Sequence, residues 1–413
     1  MSARTPPRHY VLVVLAALSA FNFLDQQLMS ILIEPVRREF KLTDIELGLL
    51  SGLAFATLYT VLSVPAGIWA VTHSRRNLIA AAAVTWGAMT MACGFAQTST
   101  QLFLARLGVG VGEAGGLPPS QAWVSDLYKD GERATPLAIL AGGSNVGVFL
   151  AFLVGGYVGQ RYGWRTAFAV AGLPPLLLAA LLRLTVRELP AQAGASRTGG
   201  SIALVGETLD RLWSDKVLRH ILIAAILAMT VGYGAIAWIP SYLVRSHGFN
   251  IAQAGAYLAV VIGIGGAIGN WLGGWSSDRL RLRDARWSLW LVAIVFVVAR
   301  PFAMLFYWVD DTALALALFV LPAAAGVIHI GPSVAVLHER IDPHLRPLAS
   351  ALFLMILTLL GLGLGPLAVG AMSDIVFARY GEDSLRYALL VWQLVGFWAA
   401  IHFYLAGTAL KSG

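Results

Sequence analysis

Three ionisable residues interrupt apolar stretches of the chain. Arg106 and Glu113 lie seven residues apart in Arg106-Leu-Gly-Val-Gly-Val-Gly-Glu-Ala-Gly-Gly116, and Asp25 falls in the apolar run that starts near Tyr10. Seven residues make two helical turns, about 10 Å, so Arg106 and Glu113 share one helical face. A cation and two carboxyls in apolar surroundings can pair, exchange a proton, or hold the charged part of a ligand. Covalent catalysis would need convergent groups at one depth, and neither His-Glu-x-x-His nor a Ser-His-Asp grouping is present. A membrane-embedded lipid-processing enzyme is therefore the disfavoured reading, and the chain is expected not to be an enzyme.

Glycines at 108, 110, 112, 115 and 116 surround this charged ladder. In water that density would weaken a helix, whereas in lipid it lets neighbouring helices approach the backbone closely. The glycines are expected to pack against spans one and five.

Composition points the same way. Of 413 residues, 58% are hydrophobic and only 12% charged, against about 25% charged in soluble domains. The fold class expected is an all-α polytopic membrane protein. The net charge of +7 does not imply nucleic acid, because the basic residues sit in short loops between apolar runs. Cys93 is the single cysteine, which excludes an internal disulfide and a cysteine metal site. No metal is expected, and no cofactor beyond the proton as coupling ion.

Segments long enough to cross a hydrocarbon core about 30 Å thick recur twelve times, from 10–33 to 385–409, with the charged glycine run in the fourth, 100–127. With the N-terminus inside, nineteen Lys and Arg fall on the cytoplasmic side and eight outside. That asymmetry predicts a multi-pass protein of the plasma (inner) membrane with both termini cytoplasmic. Arg4 and Arg8 before an apolar run resemble a signal peptide, but no small-x-small cleavage site follows, and the segment is read as an uncleaved first span.

An internal repeat divides the chain. Gly48 to Gly67 aligns with Gly255 to Gly274, and Gly163-Trp164-Arg165-Thr166-Ala167-Phe168 has an echo in Leu385-Arg386-Tyr387-Ala388. The halves predicted are a six-helix bundle over 1–186 and a second over 217–413, related as parallel repeats. Between them, 187–216 is expected to be a cytoplasmic linker. Its Ile202, Val205, Leu209 and Leu212 repeat at helical spacing, so it holds either an amphipathic surface helix or a plain linker helix.

At these residues the chain resembles the major facilitator superfamily. That family carries a Gly-x-x-x-Asp-Arg loop after its second span, often repeated after the eighth. Gly274, Asp278 and Arg279 match the second copy. In the first copy Gly67, Arg75 and Arg76 remain, but Val71 and Thr72 stand at the Asp and Arg positions. The resemblance implies that both loops gate the cytoplasmic side, the first more weakly. Gly147 to Gly156 is similar to the family's antiporter motif, with Ala151 and Phe152 where Gly-Pro is usual, and Gly361-x-x-x-Gly365-Pro366 marks a bend in span eleven.

The Gly-Val-Gly-Val-Gly-Glu-Ala-Gly-Gly run, Leu24-Asp25-Gln26-Gln27 and His73-Ser74-Arg75-Arg76 resemble the Spinster branch. This implies export of lysophospholipid or sphingosine-phosphate-like lipids, with proton coupling in bacterial members.

Depth sharpens the reading of the charges. Counting along the spans, Asp25 and Arg106 lie about 9 and 8 Å from the outer boundary and Glu113 about 18 Å. A charge at membrane depth costs at least roughly 2.5 to 3.5 kcal/mol, so Asp25 and Arg106 should pair. Either the pair takes up a proton and frees Arg106 for substrate or for Glu113, or it is a permanent tie between spans one and four. Glu113 either carries a proton for part of a cycle or stays neutral throughout. Intramembrane charges usually serve function, which favours proton coupling by Asp25, Arg106 and Glu113.

Arg300 is expected to snorkel toward Asp310 or Asp311, His329 to serve packing rather than proton transfer, and Asp126 to pair with Arg133. Trp238 and Tyr242 are candidate substrate contacts beside Arg106 and Glu113. One polar wall and one greasy wall suit an amphiphile with a charged head and one long chain. The function expected is secondary active transport of such a lipid by a monomer. A drug or organic-anion exporter of the same fold is the alternative, and a sensor would need a soluble output domain for which the loops are too short.

Overall fold

The computed structural model describes residues 8–128, 132–186, 202–343 and 345–410, without the side chains at 64, 67, 68, 70–72, 134, 202, 203, 278 and 347. Arg4, Lys129, Arg187, Arg197, Lys411 and the linker stretch 187–201 lie outside the described residues. Every regular element described is helical, as hydrocarbon demands of a chain whose backbone groups must find partners within their own segment.

The helices are α1 (Arg8–Phe40), α2 (Asp44–Gly48), α3 (Ala54–Thr72), α4 (Arg75–Phe95), α5 (Ser99–Glu113), α6 (Leu117–Leu127), α7 (Ala134–Leu150), α8 (Gly156–Tyr162), α9 (Trp164–Thr185) and α10 (Ile202–Ser214). They continue as α11 (Lys216–His247), α12 (Ile251–Leu258), α13 (Gly265–Arg281), α14 (Trp287–Trp308), α15 (Thr312–Ala325), α16 (Ile330–Arg340), α17 (Arg346–Leu357), α18 (Leu364–Ala371), α19 (Ser384–Trp392) and α20 (Leu394–Ala409). Single π-helical turns carry α2 into α3, α7 into α8, α12 into α13 and α17 into α18. Among the described residues, eleven helical runs are long and apolar enough to cross a membrane. The expected fourth span, 100–127, is not one of them. A turn at Ala114-Gly115-Gly116, followed by Pro118 and Pro119, breaks it into α5 and α6.

Two compact units form, one containing α1, α3–α9 and α12, the other α2, α10, α11 and α13–α20. Each half of the sequence thus lends one helix start to the unit built mainly by the other half. The two lent starts are copies of one device at the repeat offset seen in the sequence. Thr43 Oγ1 accepts the Glu46 amide at 3.2 Å while Glu46 Oε2 accepts the Thr43 amide at 2.8 Å. Asn250 and Gln253 repeat this box at 2.9 and 3.0 Å. The glycine two residues further on lets each start reach a partner backbone. A Cβ on Gly48 would lie 2.7 Å from Pro366 O, and one on Gly255 2.2 Å from Phe152 O. The bend at Gly365-Pro366 and the motif around Ala151-Phe152 are therefore the seats of these helices.

α10 packs along one side. Leu204, Val205 and the buried Leu212 rest on the core of the second unit, while Leu209 and Trp213 stay exposed. At its end Asp215 caps α11 and binds Arg340 at 2.7 Å. Burial pushes the Asp215 carboxyl up, but hydrogen bonds from Arg340, Leu218 and Val217 outweigh it and hold the group below its ordinary value.

The glycines of α5 face spans two and three, not spans one and five. A Cβ on Gly110 would lie 2.6 Å from Phe55 O of α3, and one on Gly112 2.4 Å from Trp86 N of α4. Spans one and five do pack together, but through Gly143 and Gly147 of α7 against Ala16 and Ala20. Gly112→Ala is expected to cost about 1–3 kcal/mol, because backbone cannot move aside as a flexible side chain can. The thermal midpoint in detergent reads this out. Gly142→Ala, whose Cβ meets nothing within 4 Å, should leave the midpoint where it was.

Candidate functional site

The first unit gathers the three predicted charges in one buried cluster. α1 carries Asn22, Asp25 and Gln26, and α4 carries Thr90 and Cys93. α5 carries Arg106 and, as its last residue, Glu113, while α3 supplies Phe55. Arg106 and Glu113 are fully buried and Asp25 is 2% exposed. The close approach that glycine allows at 110 and 112 closes α3 and α4 around the ladder.

Arg106 Nη1 donates to Asp25 Oδ2 at 3.3 Å, and Thr90 Oγ1 donates to Asp25 Oδ1 at 2.8 Å. The guanidinium carbon lies 5.6 Å from the centre of the Phe55 ring, an arrangement attractive to a cation. Its Nε and Nη2 have no partner among the described residues. Gln26 Nε2 donates to Glu113 Oε2 at 2.8 Å and also reaches Asn22 Oδ1 at 3.2 Å, leaving Glu113 Oε1 without a donor. One cation, two carboxyls and one proton make a neutral set.

The ion pair puts Asp25 beside Arg106, as the depth count expects. Thr90, Gln26 and Asn22 complete the cluster and were not expected. For Asn22 and Gln26 the signal is their spacing, four residues apart on the face of α1 next to Asp25, and for Thr90 of α4 there is none.

Trp238 and Tyr242 lie in the second unit, fully buried, with their polar tips committed. Trp238 Nε1 donates to Pro366 O at 2.8 Å, and the Tyr242 hydroxyl donates to Phe306 O at 2.8 Å. Packing has consumed the surface that a substrate contact needs, so the sequence reading of these two residues does not fit this structure. Arg300 does not snorkel. It is 5% exposed, donates to Gln393 Oε1 at 2.9 Å and stacks on Phe296. Asp310 pairs with Arg386 and Asp311 caps α15. His329 packs between Phe296 and Phe403.

The loop residues tie each unit at matching places. Arg75 of the α4 N-terminus binds Asp126 and the Ala122 carbonyl, while Arg133, the partner expected for Asp126, donates to Tyr128 O at 3.0 Å. Arg76 donates to Val186 O at 2.9 Å. In the second unit Arg281 pairs with Glu339, and Arg279 stacks on Trp275 with 4.6 Å to the ring centre. Gly67 lies within α3 and Gly274 within α13, where a Cβ on Gly274 would meet nothing within 4 Å. The Asp278 side chain lies outside the described residues.

With this geometry in place, comparison with known proteins gives a consistent picture. The sequence profile described as Major Facilitator Superfamily matches residues 15–366. An "MFS-type efflux pump" of Mycolicibacterium smegmatis is 32% identical over 410 residues, covering 96% of this chain and 92% of that protein. Among solved structures, a bacterial homologue of the human lysosomal transporter Spinster, inward-facing and unoccupied, superposes with a TM-score of 0.87 at 25% identity, covering 98% of both chains. The occupied inward-facing form of such a homologue gives 0.85 at 25% identity and the same coverage.

Proposed function

Because the chain belongs to the Major Facilitator Superfamily and is a non-catalytic, multi-pass secondary transporter related to the bacterial Spinster-like branch, we propose that it moves a lysophospholipid or sphingosine-phosphate-like amphiphile across the inner membrane, coupled to protons. The observation that carries this reading is the buried Asp25–Arg106–Glu113 cluster. It holds one more carboxyl than cation, so a proton entering or leaving changes its net charge at a depth where charge is costly. Arg106, with two guanidinium nitrogens unpartnered, is the group that meets the acidic head of a substrate when Asp25 is protonated, and Glu113 shares that site.

Twelve spans in two six-helix bundles, 1–186 and 217–413, joined by the linker 187–216, complete this reading, with α5 and α6 forming the fourth span. Both termini are cytoplasmic, as the basic loops require. The Arg75–Asp126 and Arg281–Glu339 ties steady the loops that gate that side, together with Gly67, Arg76, Gly274, Asp278 and Arg279. Alternating access then exposes the cluster to each side in turn, and protonation biases which side is favoured.

Uptake into proteoliposomes of fluorescent lysophosphatidylethanolamine, with and without a pH gradient, tests the proposal against drug substrates. The lysolipid should accumulate in a gradient-dependent way. Equal flux into protein-free vesicles sinks the substrate claim. The similarity to an efflux pump favours a second reading, drug or organic-anion export, and drug flux that outpaces lysolipid flux would establish it.

A further inference from the structure

Threonines inside the helices of this chain usually turn their hydroxyls back on their own helix. Thr85, Thr166, Thr185, Thr208 and Thr230 each donate to the carbonyl four residues earlier, at 2.6 to 2.9 Å, the local bond expected of a hydroxyl in a helix. Thr90 departs from this pattern. Its Oγ1 crosses from α4 to α1 and donates to Asp25 Oδ1 at 2.8 Å, with Thr90 1% and Asp25 2% exposed. The two oxygens of Asp25 are thus held unequally. Oδ2 receives Arg106 Nη1 at 3.3 Å, longer than the about 2.7–2.9 Å usual for a charge-assisted bond of this kind. A protonated carboxyl accepts at its carbonyl oxygen and donates from the other. The Thr90 hydroxyl therefore makes Oδ1 the carbonyl oxygen and leaves Oδ2 for the proton.

Charged and titratable side chains set against Asp25 are Arg106 and Glu113 of α5 and Cys93 of α4. α7, packed along α1, contains none between Ala134 and Leu150. Those of α9 are Arg165 and Arg183, near its two ends, and α6 has Asp126, held by Arg75. α8 meets α1 at Ile31 and Leu32, about 9 Å further along, and α12 sits on α8. Among the described residues, the hydrogen bonds to the carboxylate come from Thr90 and Arg106.

We infer that Thr90 is the positioning residue for proton uptake by Asp25: it directs the proton to Oδ2, the oxygen that holds Arg106, and sets the pH at which uptake occurs. The inference rests on the reading above in taking Asp25 as a group that gains and loses a proton. An O–H bond forms between the incoming proton and a lone pair of Oδ2, and the bond from Arg106 Nη1 is lost. The carboxyl becomes neutral while the guanidinium keeps its charge, and the reverse step returns the proton. A proton on Oδ1 would instead displace Thr90 and leave Arg106 tied. Uptake and the release of Arg106 are one event because the hydroxyl occupies Oδ1. A donor to an ionised carboxylate also favours that form, so its loss moves uptake to higher pH.

Infrared difference spectra of the intact protein in nanodiscs, recorded over a pH series without substrate, read protonation of Asp25 as the carboxyl C=O band that Asp25→Asn removes. Thr90→Val keeps the branched shape and removes the donor. Its band should lie at higher wavenumber and titrate with a midpoint about one pH unit higher, the worth of one hydrogen bond to a charged group. Thr90→Ser keeps the hydroxyl and should titrate like the wild type. A hydroxyl that merely ties α4 to α1 would lower the thermal midpoint in Thr90→Val and leave the titration where it was. That result, the same displacement in both variants, or a wild type without a band that Asp25→Asn removes overturns the inference. In proteoliposomes, the pH profile of gradient-driven uptake of fluorescent lysophosphatidylethanolamine should move up by the same unit in Thr90→Val and stay in place in Thr90→Ser. If the band behaves as expected while wild-type uptake ignores the gradient, the coupled-transport reading falls and Thr90's control of the Asp25 proton stands.

Discussion

Glu113→Gln is expected to lower gradient-driven uptake about 100-fold, and the remaining flux should be the same with and without a pH gradient. The amide keeps the shape of the site, since it can still accept from Gln26 at the Oε2 position. What it cannot do is change charge. Placing an uncompensated charge at this depth costs roughly 2.5–3.5 kcal/mol, about two orders of magnitude in an equilibrium, and that is the bias that protonation exerts between conformations. Asp25→Asn should abolish the gradient dependence too, but by another route. It leaves the Arg106 guanidinium, fully buried, without its carboxylate, so residual flux should fall further than in the Glu113 variant. The measurement is initial uptake rate against pH on the two sides of the vesicle. If both amide variants retain the wild-type pH dependence, the cluster is a structural tie and the relay is ruled out.

The conspicuousness of these charges explains what sequence could show. A charge inside an apolar span stands out by type alone, and counting residues gives its depth, so Asp25, Arg106 and Glu113 could be read directly. Neutral polar residues in such spans are common, and whether Thr90 or Asn22 joins the cluster depends on how each helix is rotated about its axis. The rotation of α5 is hidden in the same way. Five glycines signal close approach but carry no label for the neighbour, and the neighbours are α3 and α4. Trp238 and Tyr242 were ambiguous for a different reason. An aromatic ring with a polar tip suits both a ligand wall and a packed core with a spare carbonyl, and only the positions of Pro366 and Phe306 decide between them. The repeat, by contrast, was visible as paired glycines, yet its structural meaning, a capped helix start lent to the unit of the other half, lies in contacts that no local pattern encodes.

The lent start at α2 carries the second large expectation. Asp44 and Arg245 sit near span ends, where charges are normally solvated, and nothing in their spacing marks them as a pair. In the second unit they are buried, with side chains 4% and 6% exposed. Two parallel bonds of 2.8 Å join them. Ser373 Oγ donates to Asp44 Oδ2 at 2.7 Å and contacts Ser384 Oγ at 2.9 Å, while Asp374 accepts the Ile45 amide at 2.7 Å. An acceptor at a helix N-terminus is favourable, and a bidentate guanidinium–carboxylate pair fixes orientation as well as distance. Removing one member of a buried pair strands the other, at a cost of about 3–5 kcal/mol. Asp44→Ala and Arg245→Met should therefore each lower the thermal midpoint in detergent by roughly 6 °C or more. The double variant strands neither charge, so it should recover much of that loss, because a well-packed apolar replacement often matches a buried ion pair. Single variants melting with the wild type would show that the pair adds nothing to the seating of α2. A double variant as unstable as the sum of the singles would show that each residue acts independently, and that the two parallel hydrogen bonds do not couple them.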